Sequence, residues 1–353
     1  MSLILGIESS CDETAAAVVK DGFEVLSSAV ASQIAVHAKL GGVVPELAAR
    51  EHLKALDPVV QEALDTAGVT MKDIDCVAVT QGPGLIPALL VGMSYAKGLS
   101  SNYNIPLVGV NHFMAHIYGA FLDGDESALK DPSGYPLLAL VVSGGHTSLV
   151  LVSADGTARQ LGCTIDDAAG EALDKGSKLL NLGYPGGPVI SRTAENGDSN
   201  AFNFPRPLTG GAGKPVAPEH RYNFSFSGIK TALLYHSQKY PVLEGQLLYD
   251  TVASYQMAVV DTLVKKTMLA ARDFDVKRIV LAGGVACNKL LREMVKEKAP
   301  RQVEVRIAPP KYCTDNAAMV GGIGFHSFKR GEFIGHDADS FARLPGIVRV
   351  PFL

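Results

Sequence analysis

Cysteine is scarce in this sequence and follows no recognisable pattern. The 353 residues include five cysteines, an odd number with no C-x-x-C pair and no regular spacing. This argues against a disulfide framework and is typical of reduced thiols in a cytosolic protein. We therefore expect a cytoplasmic location.

Long runs of one charge are also missing. The formal net charge is −4, and lysine and arginine are scattered along the chain. Bulk charge therefore does not indicate a nucleic-acid-binding protein, although a local basic patch or a partner could supply such a surface. The hydrophobic content of 47% provides a core for one large domain or for two.

Targeting and membrane segments are not evident. The start, MSLILGIESSCDET, has early carboxylates and lacks a basic region or cleavage site, so we expect no signal or transit peptide. Residues 77–96 carry no charge and approach membrane-spanning length. Four turn-forming residues divide this run, which we expect to form a buried strand, turn and helix with no membrane association: Gly82, Pro83, Gly84 and Pro87.

Two stretches of the chain begin in the same way. They are LILGIESSCDETAAAVVKDG at 3–22 and LLALVVSGGHTSLVLVSADG at 137–156. Each has an apolar run, a small polar turn, a second apolar run and an Asp-Gly pair that predicts a hairpin. Helices and strands alternate between them, so the sequence predicts an α/β fold whose lobe occurs twice. A Gly- and Pro-rich stretch at about 184–226 predicts an irregular functional insertion.

A histidine pair follows the strand PLVGV. His112 and His116 are four residues apart, a spacing that places both on one face of a helix, where they can reach one metal ion. Buried packing histidines would give the same pattern. Asp315, in CTDNAAM, is the best remote candidate for a third ligand. A zinc peptidase needs glutamate after the first histidine, and here that residue is Phe113.

Three turns of small residues suggest an anion or nucleotide site. ESSCDET, SGGHT and AGGVACN each place small residues at a strand end, where backbone N–H groups can surround a phosphate. Each alone is compatible with an ordinary hairpin. Together they predict a nucleotide in a cleft between the two lobes.

Two further patterns allow more than one interpretation. DDAAGEALDK has Asp167, Glu171 and Asp174 at helical spacing, either as a solvated face or as part of a site. HRYNFSFSGIKTAL alternates aromatic and basic residues, which suits either stacking on unpaired bases or a buried amphipathic segment.

These motifs occur in the same order as in a known family. GIESSCDET, GGVVPELAAREH, GPGLIPALLVG, NHFMAH, VSGGHT, DDAAGEALDK, YPGGP, FSFSGIKTAL, AGGVACN and CTDNAAM closely resemble the TsaD family of tRNA threonylcarbamoyltransferase subunits, once described as O-sialoglycoprotein endopeptidases. The resemblance extends from residue 3 to about residue 325.

The resemblance implies an actin-like, sugar-kinase-like (ASKHA) fold of two ribonuclease-H-like lobes with a cleft between them. We expect the N-terminal lobe at 1–110 plus about 325–353 and the C-terminal lobe at 111–324, with the irregular insertion in the latter. The resemblance also implies that His112, His116 and Asp315 bind one divalent metal, iron first and zinc as the alternative. Whether ATP or ADP also binds is left open.

The implied reaction moves the threonylcarbamoyl group of threonylcarbamoyl-AMP to the exocyclic amine of adenosine 37 in tRNAs that read codons beginning with A, and releases AMP. The motifs imply a set of substrate-binding residues: Val141, Val142, Ser143, Gly144, Gly145, Asp174, Gly187 and Asn288. The general base is not evident, and Asp12 and Glu13 are the candidates.

The implied partners are tRNA, a TsaB-like paralogue that forms a heterodimer and a TsaE-like ATPase. The helices around residues 47–64 and 86–99 are candidate docking faces, with Gly92 and Ala96 permitting close approach. Two other functions remain as alternatives. A metalloendopeptidase lacks its glutamate, and a small-molecule kinase of the same fold has no use for the histidine pair.

Overall fold

The structure of the chain is a computed structural model. The structure describes residues 1–38, 40, 42–124, 126–210, 215–343 and 347–353. Contacts divide it into a first unit (Met1–Pro132, Asp155–Thr157 and Ala308–Leu353) and a second unit (Ser133–Ala154 and Ala158–Ile307). This division assigns 111–132 and 308–324 to the first unit, unlike the lobe boundaries expected from sequence, which remain a prediction.

The first unit is built on a mixed sheet with the strand order β3-β2-β1-β4-β5. β1 is antiparallel to β2 and parallel to β4, and β4 is parallel to β5. The strands of this sheet are β1 (Leu3–Glu8), β2 (Glu13–Lys20), β3 (Glu24–Ser32), β4 (Cys76–Gly82) and β5 (Leu107–Asn111). A short later strand, β11 (Ile347–Arg349), lies outside this sheet. The helices of the first unit are α1 (Ile34–Ala38), α2 (Pro45–Ala67), α3 (Ile86–Tyr103), α4 (His112–Gly119), α5 (Glu126–Lys130), α11 (Pro310–Cys313) and α12 (Ala317–Lys329).

Helices cover both faces of this sheet. Because successive side chains of a strand point to opposite faces, Leu3, Leu5 and Ile7 of β1 pack together with the apolar residues of α2 and α3. Gly6 points the other way, and a Cβ placed there would lie 2.2 Å from the carbonyl oxygen of Ala317 at the start of α12. Because β1 is buried on both faces, all of its residues before Glu8 are apolar.

The second unit repeats this topology. Its strands run in the order β10-β9-β6-β7-β8. They are β6 (Leu137–Val142), β7 (Thr147–Val152), β8 (Thr157–Cys163), β9 (Arg278–Ala282) and β10 (Glu304–Ile307). Its helices are α6 (Ala169–Leu179), α7 (Gly186–Ala194), α8 (Ser227–Lys239), α9 (Gly245–Asp273) and α10 (Lys289–Lys298). Short 3₁₀ helices occur at Met71–Asp73, Pro132–Gly134, Pro218–His220 and Gly284–Cys287.

The doubled pattern predicted from sequence is confirmed. β6 is antiparallel to β7 and parallel to β9, just as β1 is antiparallel to β2 and parallel to β4. The Asp-Gly pairs lie in the turns after the second strand of each set, with φ of 84° at Gly22 and 79° at Gly156. Such positive φ values suit glycine, which has no Cβ.

The uncharged run at 77–96 forms all of β4 except its first residue, then a turn and most of α3, as expected. In the part of the chain that the structure describes, no helix combines the length and the apolar character needed to cross a bilayer.

The prediction of irregular structure at about 184–226 was wrong for its first third. Gly186–Ala194 forms α7, because Pro188 occupies the first helical turn, where a missing N–H breaks no intrahelical hydrogen bond. The remainder is largely irregular, with the 3₁₀ turn Pro218–His220 near its end; residues 211–214 lie outside the described residues.

Candidate metal centre and substrate-binding turns

The histidine pair is placed by an abrupt change from strand to helix. Asn111 ends β5, and its side chain accepts hydrogen bonds from the backbone N–H groups of Phe113 and Met114. This cap starts α4 at His112, and one turn later His116 points to the same side. Both histidines are buried, with ring centroids 4.6 Å apart.

Asp315 comes to this pair from the loop between α11 and α12. Its Oδ1 lies 3.0 Å from His116 Nε2 and 3.6 Å from His112 Nε2. One ligand atom from each of the three residues lies within 4.8 Å of the others. The predicted convergence of these three residues is confirmed, and all three belong to the first unit.

Charge in this cluster is unevenly distributed. Burial opposes protonation of His112, but the carboxylates of Glu8 and Asp315 outweigh it and raise the pKa of His112 to about 9. Burial and the neighbouring charge of His112 lower the pKa of His116. Without an ion, His112 is therefore positively charged near neutral pH, at a place where two carboxylates favour positive charge.

The donor set fits a divalent transition metal. Two imidazole nitrogens and one carboxylate oxygen suit iron(II) or zinc(II) and leave coordination positions for other ligands. The Nδ1 of His116 is buried and lacks a hydrogen-bond partner among the described residues, whereas its Nε2 faces Asp315.

Sequence reasoning missed Glu8, which also belongs to this centre. Its carboxylate is fully buried and lies 3.0 Å from His112 Nδ1. Burial opposes its ionisation, but the charge of His112 prevails and lowers the Glu8 pKa. The available signal was a single carboxylate at the end of the apolar strand LILGIE, where a buried charge needs a partner.

The acidic turn after β1 adjoins the centre. Burial, followed by the nearby charges of Asp315 and Asp12, raises the pKa of Glu13 to about 10. Glu13 therefore carries a proton near neutral pH, and a cation at the cluster would favour its ionised form. His52 of α2 holds this turn, with Nδ1 2.7 Å from Thr14 Oγ1 and Nε2 3.0 Å from the Cys11 carbonyl oxygen. The role of Asp12 or Glu13 as a base stays a prediction.

The SGGHT turn of the second unit is closed at its base and open at its tip. Ser143 N–H donates to the His146 carbonyl oxygen, and His146 N–H donates to Ser143 Oγ. Gly144 and Gly145 are exposed, and a Cβ on either would meet nothing within 4 Å. This open backbone can approach a ligand closely.

Val141 and Val142 differ from these turn residues. Both are fully buried in β6 and pair with Ser148 and Thr147 of β7. Their backbone groups are therefore part of the sheet, and the exposed part of the predicted adenylate cradle begins at Ser143. Contact of any of these residues with the adenylate stays a prediction.

Asp174 supports the YPGGP turn. Its Oδ1 accepts a 2.6 Å hydrogen bond from the Gly186 backbone N–H, and a Cβ on Gly186 would lie 2.5 Å from the Asp174 Cα. Gly187 has open space where its Cβ would be. The structure thus places Asp174 and Gly187 close together, while their contact with substrate stays a prediction.

Asp167 and Glu171 do not form a solvated stripe with Asp174. Asp167 precedes α6 and pairs with Lys175 and Lys230, and Glu171 also pairs with Lys175. These ion pairs link the start of α6 to α8.

Asn288 caps α10. Its Oδ1 accepts from the Leu291 N–H and its Nδ2 donates to Gln256 Oε1. The side chain is thus engaged within the chain, and the predicted adenine contact remains untested.

The FSFSG segment is a buried element rather than a stacking surface for bases. Phe224 and Phe226 are fully buried, with stacked rings 6.2 Å apart. Asp166 accepts from both Ser225 Oγ and Ser227 Oγ. Of the two interpretations given above, the amphipathic one is correct for these phenylalanines.

An apolar groove lies between α2 and α3. Leu53 and Leu90 are 69% and 45% exposed, and the groove has a volume of about 480 Å³. It is lined by Leu53, Leu56, Leu90, Val91, Ser94 and Tyr95. The expectation that Gly92 and Ala96 face a partner was wrong, because both are buried and Gly92 packs on Ser9 of its own unit.

Comparison with known sequences agrees with these features. The profile of the TsaD family, described as tRNA N6-adenosine threonylcarbamoyltransferase, matches residues 24–322. A protein of that name from Syntrophotalea carbinolica is 54% identical over 325 residues, covering 91% of this chain and 90% of the relative. Another, from Symbiobacterium thermophilum, is 49% identical over 346 residues, covering 98% and 96%.

Two solved structures with the same fold are much more distant in sequence than these relatives. Component A of the (R)-2-hydroxyglutaryl-CoA dehydratase of Acidaminococcus fermentans superposes with a TM-score of 0.54 at 16% identity, covering 92% of this chain and 98% of its own. HypF of T. kodakarensis gives 0.57 at 15% identity, covering 94% of this chain and 48% of its own. These likenesses establish the actin-like, sugar-kinase-like fold.

Three findings lead to one assignment. They are the repeated sheet topology, the convergence of His112, His116 and Asp315, and about 50% identity to named relatives over most of their length. The chain is a member of the tRNA N6-adenosine threonylcarbamoyltransferase family, TsaD.

Proposed function

We propose that this protein transfers the threonylcarbamoyl group of threonylcarbamoyl-AMP to the exocyclic amine of adenosine 37 in tRNAs that read codons beginning with A. The observation that carries this proposal is the 54% identity, over 325 residues, to a relative named for this activity. Because its substrate is tRNA, we propose that the protein acts in the cytoplasm.

The reaction breaks one bond and forms another. The amine nitrogen attacks the carbamoyl carbonyl carbon, a C–N bond forms, and the C–O bond to the phosphate breaks with its electron pair leaving on AMP. The amine loses one proton. Since the mixed anhydride is already activated, the protein chiefly has to align the two reactants, which can lower the barrier by about 7–11 kcal/mol.

We assign the donor to the second unit. The exposed backbone of Gly144 and Gly145 would lie against the adenylate phosphate, and Gly187, beside Asp174, offers a second open surface for its sugar. Val141, Val142, Ser143 and Asn288 complete the proposed set, with the two valines acting through the strand that carries the turn.

We assign one divalent ion, iron or zinc, to His112, His116 and Asp315. When bound, such an ion supplies Lewis acidity, which stabilises negative charge developing on a carbonyl or phosphate oxygen. Asp12 and Glu13 lie on the turn beside this cluster and are the proposed acceptors of the amine proton.

We also propose a TsaB-like protein as the partner that covers the groove between α2 and α3. The groove is apolar and its rim residues Leu53 and Leu90 are exposed, as expected of a surface that a partner covers. A TsaE-like ATPase is a further proposed partner, and it rests on the family resemblance alone.

The proposed function is tested by nucleoside mass spectrometry of total tRNA. Cells depleted of this protein are expected to lose threonylcarbamoyladenosine and to regain it with the wild-type gene but not with His112→Ala. His336→Ala is the matched control, because His336 is an exposed histidine outside the cluster and its removal should leave rescue intact. Undiminished modified nucleoside in depleted cells would contradict the assignment.

A further inference from the structure

Glu8 is a buried carboxylate that the proposed chemistry does not use. It is the last residue of β1 and is 0% exposed. An isolated carboxylate in such a place is strongly disfavoured, so its partners explain why it is tolerated.

Among the described residues, the hydrogen-bonding contacts of Glu8 bring donors to both carboxylate oxygens. Oε1 accepts a 2.5 Å hydrogen bond from the Ser10 backbone N–H. Oε2 accepts a 2.7 Å hydrogen bond from Thr80 Oγ1 and lies 3.0 Å from His112 Nδ1. The carboxylate thus joins the end of β1 to Thr80 of β4 and to His112, the first residue of α4.

This arrangement selects one tautomer of His112. A carboxylate can only accept, so Nδ1 must carry hydrogen, and the lone pair of the neutral ring is then on Nε2. Nε2 is the nitrogen that faces Asp315, at 3.6 Å from Oδ1. The hydrogen bond from Nδ1 to Glu8 therefore determines that Nε2 of the neutral ring has a lone pair available for a metal ion.

The two histidines of the cluster differ in this respect. Among the described residues no group partners the buried Nδ1 of His116. The carboxylate contact at Nδ1 is therefore specific to His112, and loss of Glu8 should affect this one of the three proposed ligands.

We propose that Glu8 is a positioning residue for the metal centre: it fixes the Nδ1–H tautomer of His112 and presents Nε2 to the divalent ion held by His112, His116 and Asp315. The inference rests on the metal-binding role proposed for this cluster. Carboxylates that accept from the second nitrogen of a ligating histidine commonly raise metal affinity about 10- to 100-fold.

Glu8→Gln is a sharp test because the neighbouring donors dictate how an amide would sit. The Ser10 N–H can only donate, so the amide oxygen must face it. The amide NH₂ then faces Thr80 and His112. Because an NH₂ group can only donate, it favours a His112 ring whose Nδ1 accepts and whose hydrogen is on Nε2, and the Ser10 hydroxyl, 3.3 Å from Nδ1, can donate to Nδ1 as well. The substitution therefore inverts the tautomer that metal binding needs.

The first measurement is Zn²⁺ affinity of the purified full chain, by competition with a chromophoric chelator. We expect Glu8→Gln to weaken binding about 10- to 100-fold. Tyr118→Phe is the matched control: it removes a buried hydroxyl from the same helix, bonded to the Gly22 carbonyl oxygen, and should leave affinity unchanged. Thr80→Val, which removes one donor to Glu8, should weaken binding less, and it replaces Glu8→Gln if that variant does not fold.

The second measurement is ¹⁵N NMR of the metal-free histidine rings, with His112 identified by its loss in His112→Ala. Hydrogen on Nδ1 of His112 in the wild type, and its loss from Nδ1 in Glu8→Gln, would support the proposal. Zn²⁺ affinity of Glu8→Gln and Thr80→Val equal to wild type, with His112→Ala no longer binding, would overturn it and leave the metal site standing. Full binding by His112→Ala would overturn the metal site itself and this inference with it.

Discussion

At the residue scale, burial and neighbouring charge decide which histidines of the first unit can take up a proton. His112 lies between two carboxylates, and its pKa rises to about 9 despite burial. His326, in α12, is buried beside the Tyr118 hydroxyl, with no carboxylate bonded to it in the described contacts. Burial, and then the positive charge of Lys130, lowers the pKa of His326 to about 4.

The low pKa of His326 predicts a loss of stability in mild acid. An unfolded histidine titrates near 6.5, so between pH 6.5 and 4 the unfolded state binds a proton that the folded state does not. The contribution of this residue to the free energy of unfolding is complete above pH 6.5. It decreases as the pH is lowered, by about 2 kcal/mol at pH 5. Urea unfolding at pH 7.5 and pH 5 should show this loss in the wild type. In His326→Gln the loss should be about 2 kcal/mol smaller; an identical loss in both proteins would contradict the assignment.

The candidate metal ligands could be predicted from sequence, and the residue that orients one of them could not. His112 and His116 are four residues apart, so helix geometry alone puts them on one side. Glu8 and His112 are separated by 104 positions, and their contact depends on the placement of β1 beside β4 and of β4 beside β5. No local pattern encodes that placement. Asp315, 199 positions from His116, was found only through the small-residue loop that carries it.

At the scale of elements, the close approach of α12 to β1 explains why a glycine lies in an otherwise apolar strand. A Cβ on Gly6 would meet the Ala317 carbonyl oxygen at 2.2 Å and the Gly321 nitrogen at 2.6 Å. Both are backbone atoms of the helix and cannot turn aside as a side chain would. Because α12 follows directly on Asp315, displacement of this helix would also move a candidate ligand.

We therefore expect Gly6→Ala to cost about 1–3 kcal/mol of unfolding free energy, the usual range for overpacking. Gly98→Ala is the matched control, because Gly98 lies on the exposed side of α3 and its Cβ would meet nothing within 4 Å. Alanine there should stabilise the protein by about 0.5–1 kcal/mol. Denaturant unfolding of the two variants should shift in opposite directions, and equal shifts would argue against a tight β1–α12 contact.

Helices and strands were predicted correctly where the sequence pattern was strong. They were predicted wrongly where residues typical of turns begin a helix. The Asp-Gly hairpins and the break of the apolar run at Gly82 and Pro83 were correctly predicted. Gly186 and Gly187 suggested a turn but begin α7, where contact with Asp174 fixes the first turn of the helix. Local preference for a turn is weak compared with such tertiary contacts.

At the scale of the whole molecule, the repeated strand order was legible because the same apolar, turn and Asp-Gly pattern starts each set of strands. The sequence did not show as clearly which residues belong to each unit. α4 and α12 group with the first unit through contacts such as that of the Tyr118 hydroxyl with His326, and residues 208 positions apart leave no trace in local sequence. The fold thus follows from pattern, while boundaries depend on packing.

The exposed groove between α2 and α3 predicts how the protein associates. Leu53 and Leu90 are on its rim and mostly or partly exposed, whereas Leu56 at its floor is buried. Replacing both rim leucines by glutamate should therefore leave the fold intact and place two charges where the proposed TsaB-like partner would remove them from water. Uncompensated desolvation of charge disfavours docking, and we expect a loss of at least about 100-fold in affinity.

Isothermal titration of the partner into wild type and Leu53→Glu/Leu90→Glu measures this loss, with circular dichroism to verify the fold. Phe333→Glu serves as the control, because Phe333 is also exposed, at 51%, but lies outside the groove. Its substitution tests whether any added surface charge weakens binding. Unchanged affinity in the double variant would assign α2 and α3 to covering their own sheet. Selective loss would make this groove the docking surface, with His52 of α2 connecting it to the acidic turn beside the metal ligands.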